Sequence, residues 1–284
     1  MRFVQIIILI SSLFCSMDMV LAAYGPGSMF NRKTTSGKNL YKELLGQGVP
    51  DEPLNLLFRM FDYNVGRIPN TKNAVIVDYS LPSTEKRLLF LRFDTGVVER
   101  TYVSHGINSG VLESRSFSNM IDSWKSSLGF YFAKGTYNSW KNGPSLKLEG
   151  IDRSNNNAKD RLIVLHGAKY VSDDFILRNG RLGWSQGCFA VPPEVLQSLI
   201  NSLQNGSLIL SYHKDLWRDA REYPSEQELV GNEVVPPNVN TRITPEEQVE
   251  PETPPAPTPP EEGGIQWVDL LGLKTPGAAF NEEM

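Results

Sequence analysis

Three apolar runs joined by short turns, all between residues 73 and 104, constrain the fold of this chain more than any other feature. Residues 74–79 form a continuous run rich in β-branched side chains, which is typical of a buried strand. Residues 87–93 and 97–104 are further strand-like runs, and the connections contain the turn-forming residues proline and glycine. Connections this short indicate an antiparallel meander, because a parallel crossover needs about a dozen residues or more.

The rest of the body combines shorter strands with a few helices. Further strands are predicted over residues 128–132, 145–149, 161–165 and 207–212. Apolar residues recur at helical spacing over residues 39–45, 51–61 and 193–203, which predicts three helices. The stretch between His166 and Gly183 is interpreted as a loop. We therefore expect a mainly β fold, a β-sandwich or barrel with a few helices and a helical leader in front of it.

Composition divides the chain into five regions. Residues 1–23 combine a positive start, an apolar stretch and small residues, which is the pattern of a cleavable export signal. We assign residues 24–71 to an N-terminal helical segment, 72–214 to the main domain, 215–264 to a polar and then Pro/Glu-rich linker, and 265–284 to a short apolar segment. Nine prolines within residues 236–260 predict a disordered spacer in that linker. The sequence therefore predicts one exported domain followed by a tail.

The formal net charge of −4 is spread unevenly. The last fifty residues contain two basic and nine acidic side chains, so the body of the chain is mildly basic. Such a body suits an anionic polymer or a substrate that carries carboxylates. The sequence contains no basic stripe, no glycine-rich nucleotide loop and no HExxH or CxxC spacing, and its three histidines lie far apart. We therefore expect no nucleic acid, no metal and no cofactor.

The chain has two cysteines, of which Cys15 lies in the predicted export signal. Cys188 is then left without a partner, and an odd cysteine in an exported domain indicates a reactive thiol or an intermolecular bridge. A buried cysteine that acts as a small apolar side chain is the alternative. His166 ends a predicted strand upstream of Cys188. Because an imidazole is the usual group that generates a nucleophilic thiolate, we hypothesise a Cys/His acyl-transfer site.

The sequence around these two residues is similar to a known family. His166-Gly167 at a strand end, followed by Ser185-Gln186-Gly187-Cys188, resembles the catalytic signature of the YkuD-like murein L,D-transpeptidases, in which a histidine precedes a Ser/Thr-x-Gly-Cys block. The resemblance extends to residues 77–79, 103–106, 126–131 and 180–183. It covers about residues 72–213 and leaves out the helical leader, the linker and the apolar segment.

The resemblance implies an exported, mostly β enzyme that acts on peptidoglycan stem peptides in the periplasm or after secretion. In that family the cysteine attacks the carbonyl at the L-centre of meso-diaminopimelate in a stem tetrapeptide and expels the terminal D-alanine. Transfer of the acyl group to an amine gives a 3→3 crosslink or an exchanged D-amino acid. With water as the acceptor, the same site is an L,D-carboxypeptidase. A wall-binding scaffold with an inactive site is an alternative of another class.

The resemblance also implies a role for each residue of the motif. Cys188 is the expected nucleophile and His166 the expected base, with the Gly167 carbonyl fixing the tautomer of the imidazole. Backbone N–H groups of Gly187 and Cys188 are expected to stabilise the oxyanion. Ser185 is expected either to orient this loop or to contact the substrate.

Several other side chains are candidates for contact with the substrate. They are His105, Arg181, Lys169, Tyr170, Trp184 and Gln186. Arginine suits a stem-peptide carboxylate because its guanidinium binds carboxylates in a bidentate way. All of these candidates except Gln186 have a structural alternative: closing a tight turn for the histidine, a solvated charge for the basic residues, and core packing for the two aromatic residues.

Two positions depart from the common family pattern. Gln186 stands where many members have a second histidine, and Ala190 stands where many have asparagine or arginine. We therefore expect differences in substrate and acceptor preference. The apolar segment at residues 265–273 is expected to bind either a partner protein or the cleft of its own domain.

Overall fold

The computed structural model describes residues 27–216, and in this part of the chain eight strands form a single sheet. The strands are β1 (Asn73–Asp78), β2 (Leu88–Arg92), β3 (Val97–Thr101), β4 (Gly129–Ser139), β5 (Gly143–Gly150), β6 (Val164–Gly167), β7 (Phe189–Val191) and β8 (Leu208–Tyr212). Their order across the sheet is β3-β2-β1-β8-β4-β5-β6-β7. The predicted export signal, the Pro-rich spacer and the C-terminal apolar segment lie outside the described residues.

Four α-helices accompany the sheet in the described part of the chain. They are α1 (Leu40–Gly46), α2 (Asp51–Tyr63), α3 (Asp173–Asn179) and α4 (Pro193–Leu203), and short 3-10 turns occur at Met29–Asn31 and Ile107–Ser109. Across these residues, no helix combines the length and the apolar character needed to cross a membrane. The predicted mainly β fold with a few helices and a helical leader is confirmed.

The first three strands form the predicted antiparallel meander. Asn73 of β1 pairs with Arg92 of β2, and Leu88 of β2 pairs with Thr101 of β3. Two parallel pairs, which the sequence did not reveal, complete the sheet: β1 with β8 and β6 with β7. Parallel neighbours need a long connection, so their pairing cannot be recognised from a local turn.

The prediction of a loop between His166 and Gly183 was wrong, because α3 lies there. Its N-terminus is capped by the Ser172 hydroxyl, which accepts a hydrogen bond from the Phe175 N–H at 3.2 Å. Gly180 ends the helix with a φ of +68°, a left-handed conformation that suits glycine. No residue of α3 is buried, so the helix lacks the apolar face that makes a helix recognisable in a sequence.

The strand that carries His166 is also shifted relative to the prediction. It begins at Val164 rather than Arg161, because the preceding residues form turns. The Leu162 N–H donates to the Lys159 carbonyl at 3.0 Å, and Leu162 has a φ of +53°. A non-glycine residue in this left-handed region is uncommon and breaks a strand. His166 is consequently the penultimate residue of β6.

The helical leader packs on the sheet through an aromatic cluster. Phe58 of α2 is fully buried, and its ring centroid lies 5.5 Å from Phe30, 5.0 Å from Tyr41 and 5.9 Å from Phe93, which follows β2. Rings at these separations and steep angles combine area burial with favourable edge-to-face contact. The leader and the meander therefore share one core.

Strands β6 and β7 present different environments on their two faces. Leu165 and Phe189 are directly paired, and both are buried in the main core. Side chains alternate along a strand, so the next pair, His166 and Ala190, faces the opposite side. On that side Ala190 joins a small second cluster with Ala168, Val171 and Leu182.

Replacing Phe58 with alanine is expected to lower the free energy of unfolding of the whole domain by about 3–5 kcal/mol, because a buried aromatic ring is lost and a cavity remains. Tyr63 at the end of α2 is 54% exposed, so Tyr63→Ala is a matched control expected to change the stability by less than about 0.5 kcal/mol. Urea unfolding followed by circular dichroism and by tryptophan fluorescence measures both. A leader that is only an appendage would leave the unfolding of the sheet unchanged in Phe58→Ala.

Candidate active site

The turn that carries Cys188 is held by the Ser185 hydroxyl. The Ser185 Oγ donates to the Cys188 carbonyl at 2.7 Å and accepts from the Gly187 N–H at 3.1 Å. The Ser185 backbone is itself fixed, since its N–H donates to the His105 carbonyl at 3.0 Å and its carbonyl accepts from the Ile107 N–H at 2.9 Å. Ser185 thus sets the shape of this turn and joins it to the segment after β3.

Gly187 is required by the geometry of the turn. Its φ of +112° lies in the region that favours glycine, and a Cβ at this position would lie 2.7 Å from the Lys125 carbonyl oxygen and 3.1 Å from Nη2 of Arg161. The Gly187 N–H, predicted to be an oxyanion donor, is engaged with the Ser185 hydroxyl.

Cys188 is partly exposed, and its thiol forms no disulfide within the described residues. Its sulfur donates to the Leu162 carbonyl at 3.6 Å and accepts from the Val164 N–H. Burial raises the pKa of the Cys188 thiol above its ordinary value. The Val164 N–H and the positive charges of Arg161 and Lys141 oppose that rise, since each favours the thiolate.

His166 is brought close to the Cys188 turn through the pairing of β6 with β7. It pairs with Ala190, two residues after Cys188, which itself lies in the bend before β7. The His166 Nδ1 lies 3.1 Å from the Gly167 carbonyl oxygen. A carbonyl only accepts hydrogen bonds, so Nδ1 carries the proton and the lone pair lies on Nε2.

The protonation of His166 is biased toward the neutral form. Burial is the main cause that lowers the pKa of His166, the positive charge of Lys141 lowers it further, and the Gly167 carbonyl opposes the change. The absence of a side chain at Gly167 also lets α4 approach, since a Cβ there would lie 3.2 Å from the Pro193 Cα. The imidazole is thus biased toward its neutral form in a defined tautomer, and Gly167 on the opposite face packs against α4.

His105 lies in a buried network instead of an open cleft. Only 1% of its surface is exposed, its Nδ1 lies 2.8 Å from Nη2 of Arg87, and its Nε2 lies 3.0 Å from the Gly110 carbonyl. The arginine donates to Nδ1, and Nε2 donates to the carbonyl, so both ring nitrogens are engaged. Burial and, next, the charge of Arg87 lower the pKa of His105 to about 4.

Arg181 and Trp184 form a stacked pair beside the turn. The guanidinium carbon of Arg181 lies 3.3 Å from the centroid of the Trp184 ring, and Nη1 of Arg181 donates to the Leu182 carbonyl at 2.8 Å. The Trp184 Nε1–H donates to the Val111 carbonyl at 3.0 Å. Stacking and these hydrogen bonds restrict a long side chain that is partly exposed.

The remaining candidates differ in their surroundings. Tyr170 packs against Gly183, where a Cβ would lie 2.6 Å from the tyrosine Cβ, and burial followed by the charge of Cys188 raises the pKa of its hydroxyl. Gln186 is exposed, and its Oε1 accepts from the Lys141 Nζ at 3.3 Å. Lys169 is exposed at the surface. Tyr170 is therefore half-buried beside Gly183, whereas Gln186 lies next to Cys188 and is exposed to solvent.

Two cations near Cys188 were missed by the sequence analysis. Arg161 lies behind the turn, and Lys141 reaches it from the connection between β4 and β5. No motif spacing relates either residue to Cys188, because each comes from a different part of the sheet. Among residues 27–216, no group of three His, Cys, Asp or Glu side chains is placed to hold a metal ion.

A mainly β domain with an unpaired cysteine on a turn beside a histidine-bearing strand defines a candidate Cys/His site. Residues 48–212 match the family model described as an L,D-transpeptidase catalytic domain. The match covers more than half of the chain, so this protein belongs to the L,D-transpeptidase catalytic-domain family. The family recognised from the sequence is confirmed.

Three solved structures illustrate the matches. An L,D-transpeptidase from Mycobacterium smegmatis shows 10% identity and a TM-score of 0.31, over 50% of this chain and 58% of that chain. The helical cell shape determining protein Pgp2 from Campylobacter jejuni shows 16% identity and a TM-score of 0.33, over 56% and 54%. An L,D-transpeptidase from Stackebrandtia nassauensis shows 16% identity and a TM-score of 0.31, over 68% and 87%.

The chain thus covers less than two thirds of the first two structures. No curated protein matches the chain. TM-scores at this level carry no argument about function, so the family assignment rests on the family model.

Acidification is expected to destabilise the fold through His105. The pKa of this side chain falls from 6.5 to about 4 on folding, so the unfolded state binds the proton more tightly between these values. The free energy of unfolding is therefore unaffected by this histidine above about pH 6.5. It is expected to fall by roughly 2–3 kcal/mol as the pH drops from about 6.5 to about 4. Urea unfolding at several pH values measures this slope.

The control for this prediction is His105→Gln, which keeps an acceptor for Arg87 and a donor for the Gly110 carbonyl but does not titrate. The variant is expected to lose less stability than the wild type over the same pH range. Equal losses in the two proteins would show that His105 is not the source of the slope.

Proposed function

We propose that this protein is a cysteine-dependent L,D-transpeptidase that acts on peptidoglycan stem tetrapeptides outside the cytoplasm. One observation supports the proposal: the parallel pairing of β6 with β7 puts His166 directly beside Ala190, two residues after Cys188, with the imidazole lone pair on Nε2. Membership of the L,D-transpeptidase catalytic-domain family supports the substrate class. The mildly basic body of the chain is compatible with an anionic wall polymer.

In the first half-reaction, the Cys188 thiol transfers its proton to Nε2 of His166, and the sulfur attacks the carbonyl carbon at the L-centre of meso-diaminopimelate. A C–S bond forms, and the carbonyl oxygen becomes an oxyanion. We assign its stabilisation to the Cys188 N–H, because the Gly187 N–H is engaged with the Ser185 hydroxyl. The C–N bond then breaks, and D-alanine leaves as an amine that takes the proton from His166.

In the second half-reaction, the thioester passes to an acceptor. The acceptor amine gives a proton to Nε2 of His166 and attacks the thioester carbonyl, so a C–N bond forms and the C–S bond breaks. The departing sulfur takes the proton back from His166, which restores the starting state. A diaminopimelate amine as acceptor gives a 3→3 crosslink, a free D-amino acid gives exchange, and water gives the carboxypeptidase product.

We assign the recognition of a stem-peptide carboxylate to Arg181. Its guanidinium is held flat against Trp184, and one of its nitrogens is fixed on the Leu182 carbonyl. A guanidinium that is ordered before binding loses less conformational entropy when it binds a carboxylate. Tyr170, which packs against Gly183 and has a hydroxyl whose pKa is raised by burial, is assigned to the substrate-binding surface next to Arg181.

Cys188→Ala is expected to abolish turnover, with a fall of at least about 10³-fold in product formation, because the nucleophile is removed. The full-length chain is incubated with tetrapeptide-rich sacculi, and the muropeptides are separated and weighed. New 3→3 dimers that depend on Cys188 support the transpeptidase. Identical profiles for the wild type and Cys188→Ala would refute the proposed function.

The same experiment separates the two acceptors. Tripeptides with free D-alanine and no new dimers would assign the protein to the L,D-carboxypeptidases. Intact-mass measurement of the wild type with tetrapeptide adds a direct readout, since a thioester adduct is expected on Cys188. His166→Gln is expected to slow the formation of this adduct, whereas the exposed control Lys38→Gln in the leader is expected to leave it unchanged.

A further inference from the structure

Arg161 is bound entirely by neutral acceptors. Its Nη1 donates to the Ser118 carbonyl at 2.9 Å and to the Ser127 hydroxyl at 3.0 Å. Its Nη2 donates to the Ser123 hydroxyl at 3.3 Å and to the Lys125 carbonyl. In the described part of the chain, Arg161 forms no ion pair with a carboxylate. Its positive charge is therefore held in place by dipoles and is not neutralised by them.

Keeping such a charge partly buried is costly. Arginine remains protonated under all ordinary conditions, so the side chain cannot avoid the cost by losing its proton. Burial lowers the pKa of Arg161, whereas negative charge on Tyr131 or Cys188 would raise it. Complete burial raises the pKa of the Tyr131 phenol, so this group stays neutral. The Cys188 thiol is thus the nearby group that can lose a proton and give Arg161 a negative partner.

The guanidinium lies directly behind the turn that carries Cys188. Nη2 of Arg161 would be 3.1 Å from a Cβ on Gly187, and the Lys125 carbonyl that binds this nitrogen would be 2.7 Å from the same Cβ. The residue after Arg161, Leu162, accepts the thiol hydrogen bond through its carbonyl. Arg161, the Leu162 carbonyl and the Val164 N–H therefore reach the Cys188 turn from one continuous stretch of chain that leads into β6.

The other titratable groups around the proposed site do not offer a fixed positive charge. Tyr79 and Tyr170 have raised pKa values, to about 12 for Tyr79, and stay neutral. His166 is biased to its neutral form, and Lys141 ends at the exposed amide of Gln186. Arg161 is the cation held by several hydrogen bonds.

Burial makes the first proton transfer difficult, because it raises the pKa of the Cys188 thiol and lowers that of His166. Moving the proton from Sγ to Nε2 is therefore more unfavourable than between the same groups in water. A fixed positive charge beside the sulfur offsets this difference by favouring the thiolate, and it does so without taking part in the transfer.

We propose that Arg161 is a positioning residue that stabilises the Cys188 thiolate and so makes the transfer of the thiol proton to His166 possible. Its consequence for turnover rests on the proposed function, but the stabilisation itself is a property of the protein without substrate. Arg161 acts through the sulfur and does not touch the reacting carbonyl.

The test is the pH profile of Cys188 alkylation by iodoacetamide in the full-length chain, followed on the peptide that contains Cys188 by mass spectrometry. Arg161→Met is expected to move the midpoint of the profile upward by about one pH unit or more, because an opposite charge is removed. His166→Gln is expected to move it less. An unchanged midpoint in a folded Arg161→Met protein would overturn the proposal and leave Arg161 a structural role only.

A second pair of variants keeps Arg161 in place. Ser123 is partly exposed and its Oγ lies 3.3 Å from Nη2 of Arg161, so Ser123→Asp puts a carboxylate against the guanidinium, and Ser123→Asn is the neutral control of equal size. The aspartate variant is expected to raise the alkylation midpoint relative to the asparagine variant. Equal midpoints would refute the proposal even if Arg161→Met fails to fold. Alkylation needs no peptidoglycan. The alkylation midpoints therefore test the role of Arg161 even if the transpeptidase assay shows that the proposed function is wrong.

Discussion

The candidate site depends on the parallel pairing of β6 with β7. Leu165 and Phe189 form one pair in the main core, and the next pair, His166 with Ala190, faces the other side. A slip by one residue would move Phe189 out of the core, because the side-chain period of a strand is two. Burial of the apolar pair therefore fixes the register in which His166 lies beside Ala190, two residues after Cys188. Packing in the core therefore determines the geometry of the candidate site.

Two arginines, Arg87 in the core and the half-buried Arg161, are held by neutral hydrogen-bond acceptors but differ in their surroundings. Arg87 donates to the carbonyls of Val103 and Leu81 and to Nδ1 of His105, whose low pKa keeps that ring neutral. Arg87 also interacts with the charge of the buried Asp78 carboxylate, so it has a negative partner that Arg161 lacks. Arg161 is bound by similar acceptors but lies behind a thiol, which can lose its proton. Similar hydrogen bonds thus hold Arg87 in a structural network and hold Arg161 as a positive charge behind the thiol.

The sequence predicted those features that leave a local pattern. The meander, the helix from Pro193 and the motif ending at Cys188 all carry short-range signals, and the fold class and family followed from them. The helix α3 was missed because it buries no side chain, and β7 was missed because it has three residues. The positions of Arg161 and Lys141 depend on pairings between distant strands, which no local pattern encodes.

The two departures from the common family motif acquire a physical meaning in this fold. Ala190 is fully buried and pairs directly with His166, so a longer polar side chain there would have to displace the small cluster around Val171 and Leu182. Gln186 is exposed and bonded to Lys141, so the position where relatives have a histidine is tied here to a lysine from the β4–β5 connection. Neither flank of Cys188 supplies a cation, and the positive charges that act on the thiol belong to Arg161 and Lys141, which lie in connections between strands. In the proposed mechanism, the residue that moves the proton, His166, is therefore distinct from the residues that set the electrostatics of the thiol.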